Sequence, residues 1–322
     1  MVGSPIAAVF RAPGPLFCVL ILAASARALA APPPDAAAPP AEDSGVDTVS
    51  GAGVPDSEEL PTAPMLLPFA DAFVRGGPPR KPGLVWQHTR FRDSEYVALG
   101  GMLLAVVPSF IIQPSPGRFP SNVGVDESAR SALRIEHWEV RQTARDASDV
   151  LLTLAVNYPL IVDAVVVAGW YRDAPDVGWE LAMIDLEALV VNATLAAWTS
   201  ALSSRERPYG RLCPKERALQ DLDCSSNNRY RSYFSGHTST AFVSAGLMCM
   251  HHANVPLYGG GVPDGAACGL ALGAAGTMAY LRVAADQHYL SDVLTGAAVG
   301  SAIGFGLPWA LHYREPPPRS GP

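Results

Sequence analysis

Residues 149–171 read DVLLTLAVNYPLIVDAVVVAGWY and residues 179–199 read WELAMIDLEALVVNATLAAWT. Both runs are too long for strands and hold few breakers, so they predict helices. A bilayer span needs about 20 apolar residues, and both reach it. Four more apolar stretches lie outside this pair, at 96–112, 238–252, 266–282 and 290–311. The last has spanning length, while 238–252 is short. There is no strong strand signal and no internal repeat. The expectation is an all-α bundle of about six core helices, embedded in a membrane. Asp163, Asp185 and Glu187 fall inside the quoted runs, which is expensive in lipid. Gly296, Gly300 and Gly304 form a small-residue stripe at four-residue spacing, and Gly269 and Gly273 form another; such stripes let helices approach closely. Residues 127–148 mix charge with Leu133, Ile135, Trp138 and Val140, predicting an amphipathic surface helix.

The composition agrees. Of 322 residues, 49% are hydrophobic and 16% charged, against about 25% charged in a soluble domain. A net charge of -7 argues against a nucleic-acid partner. Residues 31–72 hold eight acids and no base, so the acidity belongs to an Ala/Pro-rich segment that reads as a disordered spacer. Before it, residues 1–30 read as a signal peptide, with Arg11, the apolar run 15–24 and a small-x-small site at Ala28-Leu29-Ala30. Residues 73–315 make up the helical domain. The expected destination is the cell envelope, either in the inner membrane with the site facing the periplasm or as a soluble periplasmic body. With residue 31 outside, three spans before residue 200 would turn the following loop inward. An outward site therefore requires either that an early stretch not cross, most simply 96–112 with Gly100-Gly101 and Pro108, or that the signal remain as an anchor.

Three segments between residues 200 and 292 carry chemistry. The basic loop 201–232 holds Arg205, Arg207, Arg211 and Lys215 among seven bases against four acids, a docking place for an anion. Ser235-Gly236-His237 opens a helix, where free N–H groups and the dipole favour an anion and Gly236 lets it come close to the backbone. His288 and Asp292 stand four apart, so that the carboxylate can reach one ring nitrogen and leave the other free as a nucleophile or base.

In order and spacing these segments resemble the type-2 phosphatidic acid phosphatase and vanadium haloperoxidase superfamily, whose signature is Lys-x6-Arg-Pro, Pro-Ser-Gly-His and Ser-Arg-x5-His-x3-Asp. The matches are Arg207-Pro208, then Ser235-Gly236-His237, then Arg282, His288 and Asp292. The resemblance implies a phosphatase acting on phosphate monoesters or diphosphates, of lipids or of other small molecules, with the membrane as a partner. Arg207, Arg282, Ser235 and Gly236 would hold the phosphate, His288 would attack phosphorus, Asp292 would orient His288, and His237 would protonate the leaving oxygen. No metal and no cofactor is implied; vanadate enters only under a haloperoxidase reading, which stays open beside that of a catalytically degenerate membrane protein. Ser200 stands where the lysine is expected, Phe234 where the proline is and Leu281 where the serine is. Arg205, Arg211 and Lys215 are the candidates to supply the lost charge.

In an oxidising compartment Cys213 and Cys224 are expected to form a disulfide that staples the basic loop. Cys249 and Cys268 could bridge a helical hairpin, provided that its turn is also outside. His251-His252 reads as an interfacial or capping pair rather than as metal ligands.

Overall fold

The computed structural model describes residues 83–116, 118–119, 124–213, 224 and 226–314. The expected signal peptide, the spacer and Lys215 lie outside the described residues. Seven α-helices occur among them: α1 (Asp93–Ile111), α2 (Asp126–Leu133), α3 (Trp138–Asn157), α4 (Pro175–Ser203), α5 (Gly236–Asn254), α6 (Val262–Ala284) and α7 (Leu290–Pro308). The predicted helix over 127–148 divides in two. Residues 134–137 leave the helical path because the Ile135 N–H donates to the Ala284 carbonyl of α6 (3.0 Å). The Arg141 guanidinium then takes up the Ile135 and Glu136 carbonyls at 3.1 and 2.8 Å. The chain resumes a helical path at Trp138, the first residue of α3.

α3 does not stop at Asn157 but widens into π-type turns over Tyr158–Tyr171. Pro159 has no N–H to give the regular ladder, and a wider register absorbs the gap. α7 widens in the same way after Pro308. Among the described residues, five segments are long and apolar enough to cross a membrane: Asp93–Ile111, Trp138–Tyr171, Pro175–Leu212, Val262–Ala284 and Leu290–Tyr313. Val97, Leu104, Phe110, Val150, Leu270 and Leu294 on these helices are exposed, an apolar outer surface that suits lipid and not water. α1 runs helical through Gly100, Gly101 and Pro108 and is one of the segments of spanning length.

α5, the short stretch of the sequence, lies innermost. Val243 and Leu247 pack with Leu181 and Ile184 of α4 in the main core, while Ala241 and Ala245 pack with Ala275 and Met278 of α6. Its contact with α7 is backbone on backbone. A β-carbon at Gly296 would sit 2.7 Å from the Ser235 carbonyl oxygen, and those at Gly300 and Gly304 would strike the carbonyl oxygens of Ser239 and Val243. The second stripe behaves otherwise: Gly269 and Gly273 have nothing within 4 Å of a built β-carbon.

The bundle has two distinct ends. At one, the Thr89 N–H donates to the His312 carbonyl (3.2 Å), His88 meets the Asn254 carbonyl and Arg90 pairs with Glu180. This end holds a buried polar network. His251 bonds Asp185 at 2.8 Å and the Tyr313 hydroxyl at 2.8 Å. His252 lies between Asp264 at 2.6 Å and Asp163 at 3.3 Å. The two histidines are therefore buried rather than interfacial, and the helix-buried Asp185 and Asp163 find their partners in them. At the other end meet the 204–235 loop, the 285–289 loop and α2. The two ends lie roughly 21 Å apart along α5, from His237 to His251 at 1.5 Å per residue.

Both disulfides are present, Cys213–Cys224 across the basic loop and Cys249–Cys268 between α5 and α6. Cys249 is buried and lies inside the helix pair, away from the turn.

The two glycine rows make opposite predictions. Gly300→Ala forces a methyl group against the Ser239 backbone and is expected to cost about 1–3 kcal/mol, read as a lower Tm in detergent. Gly273→Ala meets open space and is expected to leave Tm unchanged or to raise it, by up to about 1 kcal/mol of helix propensity. Equal responses would show that the seam is not close-packed.

Candidate functional site

α5 and α7 start side by side, and their starts are tied by a hydrogen bond from the Ser235 N–H to the Asp292 carbonyl (3.1 Å). This brings the second and third sequence segments together. The first arrives through the backbone: the Arg207 N–H donates to the Arg229 carbonyl at 2.7 Å, and the Tyr209 N–H to the Asp286 carbonyl at 3.1 Å. Arg207, Gly236, His237 and His288 then line one cavity of about 530 Å³, together with Phe110, Ala196, Ala197, Ser200, Asn228 and Arg231 among others.

His288 is buried in the loop between α6 and α7. Its Nδ1 is held by the Ser232 carbonyl at 2.8 Å. A carbonyl only accepts, so Nδ1 carries the proton and Nε2 carries the lone pair. Nε2 lies 3.2 Å from Arg207 Nη1, on the cavity side. Burial is the main cause that holds the imidazole well below its ordinary value of 6.5, and the guanidinium groups of Arg207 and Arg282 and the His237 ring add to it. The ring is neutral at neutral pH, as a nucleophile must be.

Asp292 does not orient the ring in the way the sequence suggested. Its Oδ2 is 3.8 Å from His288 Nδ1, too far for a hydrogen bond. That oxygen accepts from the Ser232 hydroxyl at 2.6 Å and the Tyr289 N–H at 3.0 Å, while Oδ1 takes Arg205 Nη1. Asp292 thus acts on His288 through Ser232, whose carbonyl and hydroxyl join the two.

Arg205 is fully buried, between Asp292 and Asp126, and its guanidinium lies 4.5 Å from the Tyr289 ring centre. Committed to two carboxylates, it does not supply the charge missing at Ser200. Arg211 pairs with Glu127 at 2.6 Å and does not line the cavity either.

Ser235 is also turned away. Its hydroxyl caps α5, accepting from the Thr238 N–H at 3.3 Å and meeting the Thr238 hydroxyl at 2.9 Å, and the residue is wholly buried. Gly236 faces the cavity, the nearest atom to a built β-carbon being 3.9 Å away. Arg282 lies behind the cavity wall, where Nη1 donates to Ser148 at 3.0 Å and Asp149 at 3.1 Å. Its Nε is buried with no partner, a donor that an anion would satisfy. Asp149 also holds His237 Nε2 at 2.9 Å. Sequence reasoning missed Ser232, Asp149 and Asp126. Asp149 and Asp126 lie 55 or more positions before Arg205 and carry no local signal.

The arrangement places a neutral imidazole whose Nε2 lone pair accepts from Arg207 Nη1, a second imidazole and a guanidinium around one cavity, with a further guanidinium behind it. Such a set can bind a tetrahedral oxyanion, attack it and protonate a leaving group. Among curated proteins and among solved structures, nothing matches the chain. Residues 186–316, from the middle of α4 to the end of the bundle, match the PAP2 superfamily.

Proposed function

We propose that the chain is a membrane-embedded phosphatase hydrolysing phosphate monoesters or diphosphates of lipids through a phosphohistidine. The observation that carries this reading is the state of His288, with Nδ1–H fixed on Ser232 and the Nε2 lone pair presented beside Arg207. In the first step Nε2 attacks phosphorus, and the ester oxygen departs with the bonding pair and a proton from Nδ1 of His237. Burial and the Arg282 charge hold the pKa of that ring down at about 4 without substrate, and the bound anion, with Asp149 on Nε2–H, raises it so that the ring enters the step protonated. In the second, His237 takes a proton from water, whose oxygen attacks phosphorus and releases phosphate and free His288. Arg207 neutralises the phosphoryl oxygens throughout, joined by Arg282 once the anion draws it from Asp149. A lipid fits the apolar wall of Phe110, Ala196, Ala197 and Phe234, which continues into the exposed face of α1 at Val107 and Ile111.

The site is proposed to face the oxidising side of the envelope, where the Cys213–Cys224 bridge stabilises its loop. Residues 83–92, at the opposite end, then lie on the cytoplasmic side. The apolar run 15–24 would not then act as a cleaved leader that sets the orientation.

Three outcomes are expected. His288→Ala abolishes phosphate release from lipid and soluble esters alike, and unchanged turnover would exclude the nucleophile assignment. The acid limb of kcat/KM, which reports the free enzyme, lies well below pH 6.5: a depressed pKa keeps the nucleophile unprotonated until the pH falls through it, so a limb at or above the ordinary histidine value contradicts the assignment. A cysteine at Asn228 is labelled in whole cells by an impermeant maleimide and one at Asp173 is not; the reverse pattern would invert the orientation.

A further inference from the structure

The cavity holds a cation that no sequence motif assigns. Arg231 lines it beside Gln113, Asn227 and Asn228. Its Nη2 donates to the Ser109 and Ile112 carbonyls at 3.2 and 2.8 Å, the last turn and cap of α1. Its remaining nitrogens make no hydrogen bond or ion pair among the described residues, and no carboxylate faces it there. A half-buried guanidinium clipped by one nitrogen, with the rest of its fork unspent at a cavity wall, is a pre-positioned anion receptor.

Its place gives it a different task from Arg207. Arg207 Nη1 touches His288, so it belongs to the phosphoryl group under attack. Arg231 is fastened to α1, the helix whose Phe110 forms the apolar wall. It therefore stands on the α1 side of the cavity, where Phe110 also lies. An apolar chain laid along that wall would bring the group joining it to the attacked phosphate towards Arg231: a single ester oxygen in a monoester, a second phosphate in a diphosphate ester.

We propose that Arg231 forms a second anion subsite and that the cavity is built for diphosphate esters, the terminal phosphate on His288 and Arg207 and the inner one on Arg231. This rests on the phosphatase reading above and narrows it. His288 Nε2 forms a bond to the terminal phosphorus, and the bond from that phosphorus to the bridging oxygen breaks. The bridging oxygen keeps the electron pair and stays on the inner phosphate, which leaves as the ester monophosphate. The charge that develops on it falls next to Arg231. Water then releases inorganic phosphate from His288.

The test uses the purified full chain and two substrates that share one alkyl chain, the monophosphate and the diphosphate. Wild type is expected to prefer the diphosphate. Arg231→Gln is expected to lose about tenfold or more in kcat/KM on the diphosphate, the worth of a charge-assisted hydrogen bond, while changing less than about threefold on the monophosphate. Because both substrates use one site, a partly unfolded variant loses on both, and the ratio stays interpretable. Arg231→Lys, which keeps the charge without the fork, is expected to fall between. Equal losses on the two substrates, or none on either, would overturn the subsite and leave the phosphatase reading intact. A wild type that hydrolyses only the monophosphate would do the same. Hydrolysis of neither substrate by a wild type that unfolds cooperatively would overturn both.

Discussion

The site depends on how closely two helices can approach. α5 carries His237 and α7 carries Asp292, and His288 lies just before α7. Only where their backbones nearly touch can Ser235 N–H reach the Asp292 carbonyl. Gly296, Gly300 and Gly304 permit that approach by presenting no side chain to the carbonyls of Ser235, Ser239 and Val243. In lipid there is little hydrophobic drive to press helices together, so close packing has to hold them. The glycine row that shapes the scaffold thereby also sets the spacing of the imidazoles.

A second constraint is the buried ion group at the same end. Arg205 lies between Asp126 and Asp292 with all three side chains withdrawn from solvent. Removing one member of such a group strands the others in a medium that solvates them poorly, typically at about 3–5 kcal/mol. Further hydrogen bonds help to offset the burial: Ser232 and Tyr289 N–H on Asp292, and Ser291 on Asp126 through both its N–H and hydroxyl. The same contacts fix Ser232, whose carbonyl sets the His288 tautomer. The charge that the sequence offered as a phosphate ligand is thus spent on holding the frame of His288.

Much of this was legible in the residues. Runs of apolar length announced the helices, and the four-residue glycine period announced one seam. The order of Arg207, Gly236, His237 and His288 announced a shared cavity, and the geometry places those four around one. What could not be read has a physical cause in each case. The glycines at 269 and 273 have the same spacing as those of the seam, but spacing does not say whether a neighbour faces them. The i, i+4 relation of His288 and Asp292 allows a contact without requiring one, and a backbone carbonyl with no residue-specific signature took the ring nitrogen. Asp149 and Asp126 come to the site through tertiary folding alone, and Arg231 was one of seven bases in the loop, a count that does not say which of them faces the cavity. His251 and His252 looked peripheral because the acids that bury them lie 66 and 89 positions away.

The separation of the two ends bears on how the molecule can be handled. Residues 83–92 emerge on the face that carries the His251 network, remote from the cavity mouth at Asn227 and Asn228. An affinity handle or fluorescent reporter joined near residue 83 leaves the cavity unobstructed, whereas a binder raised against the 226–231 loop would cover residues that line it. The two faces can therefore be assigned separately to immobilisation and to probing of the cavity.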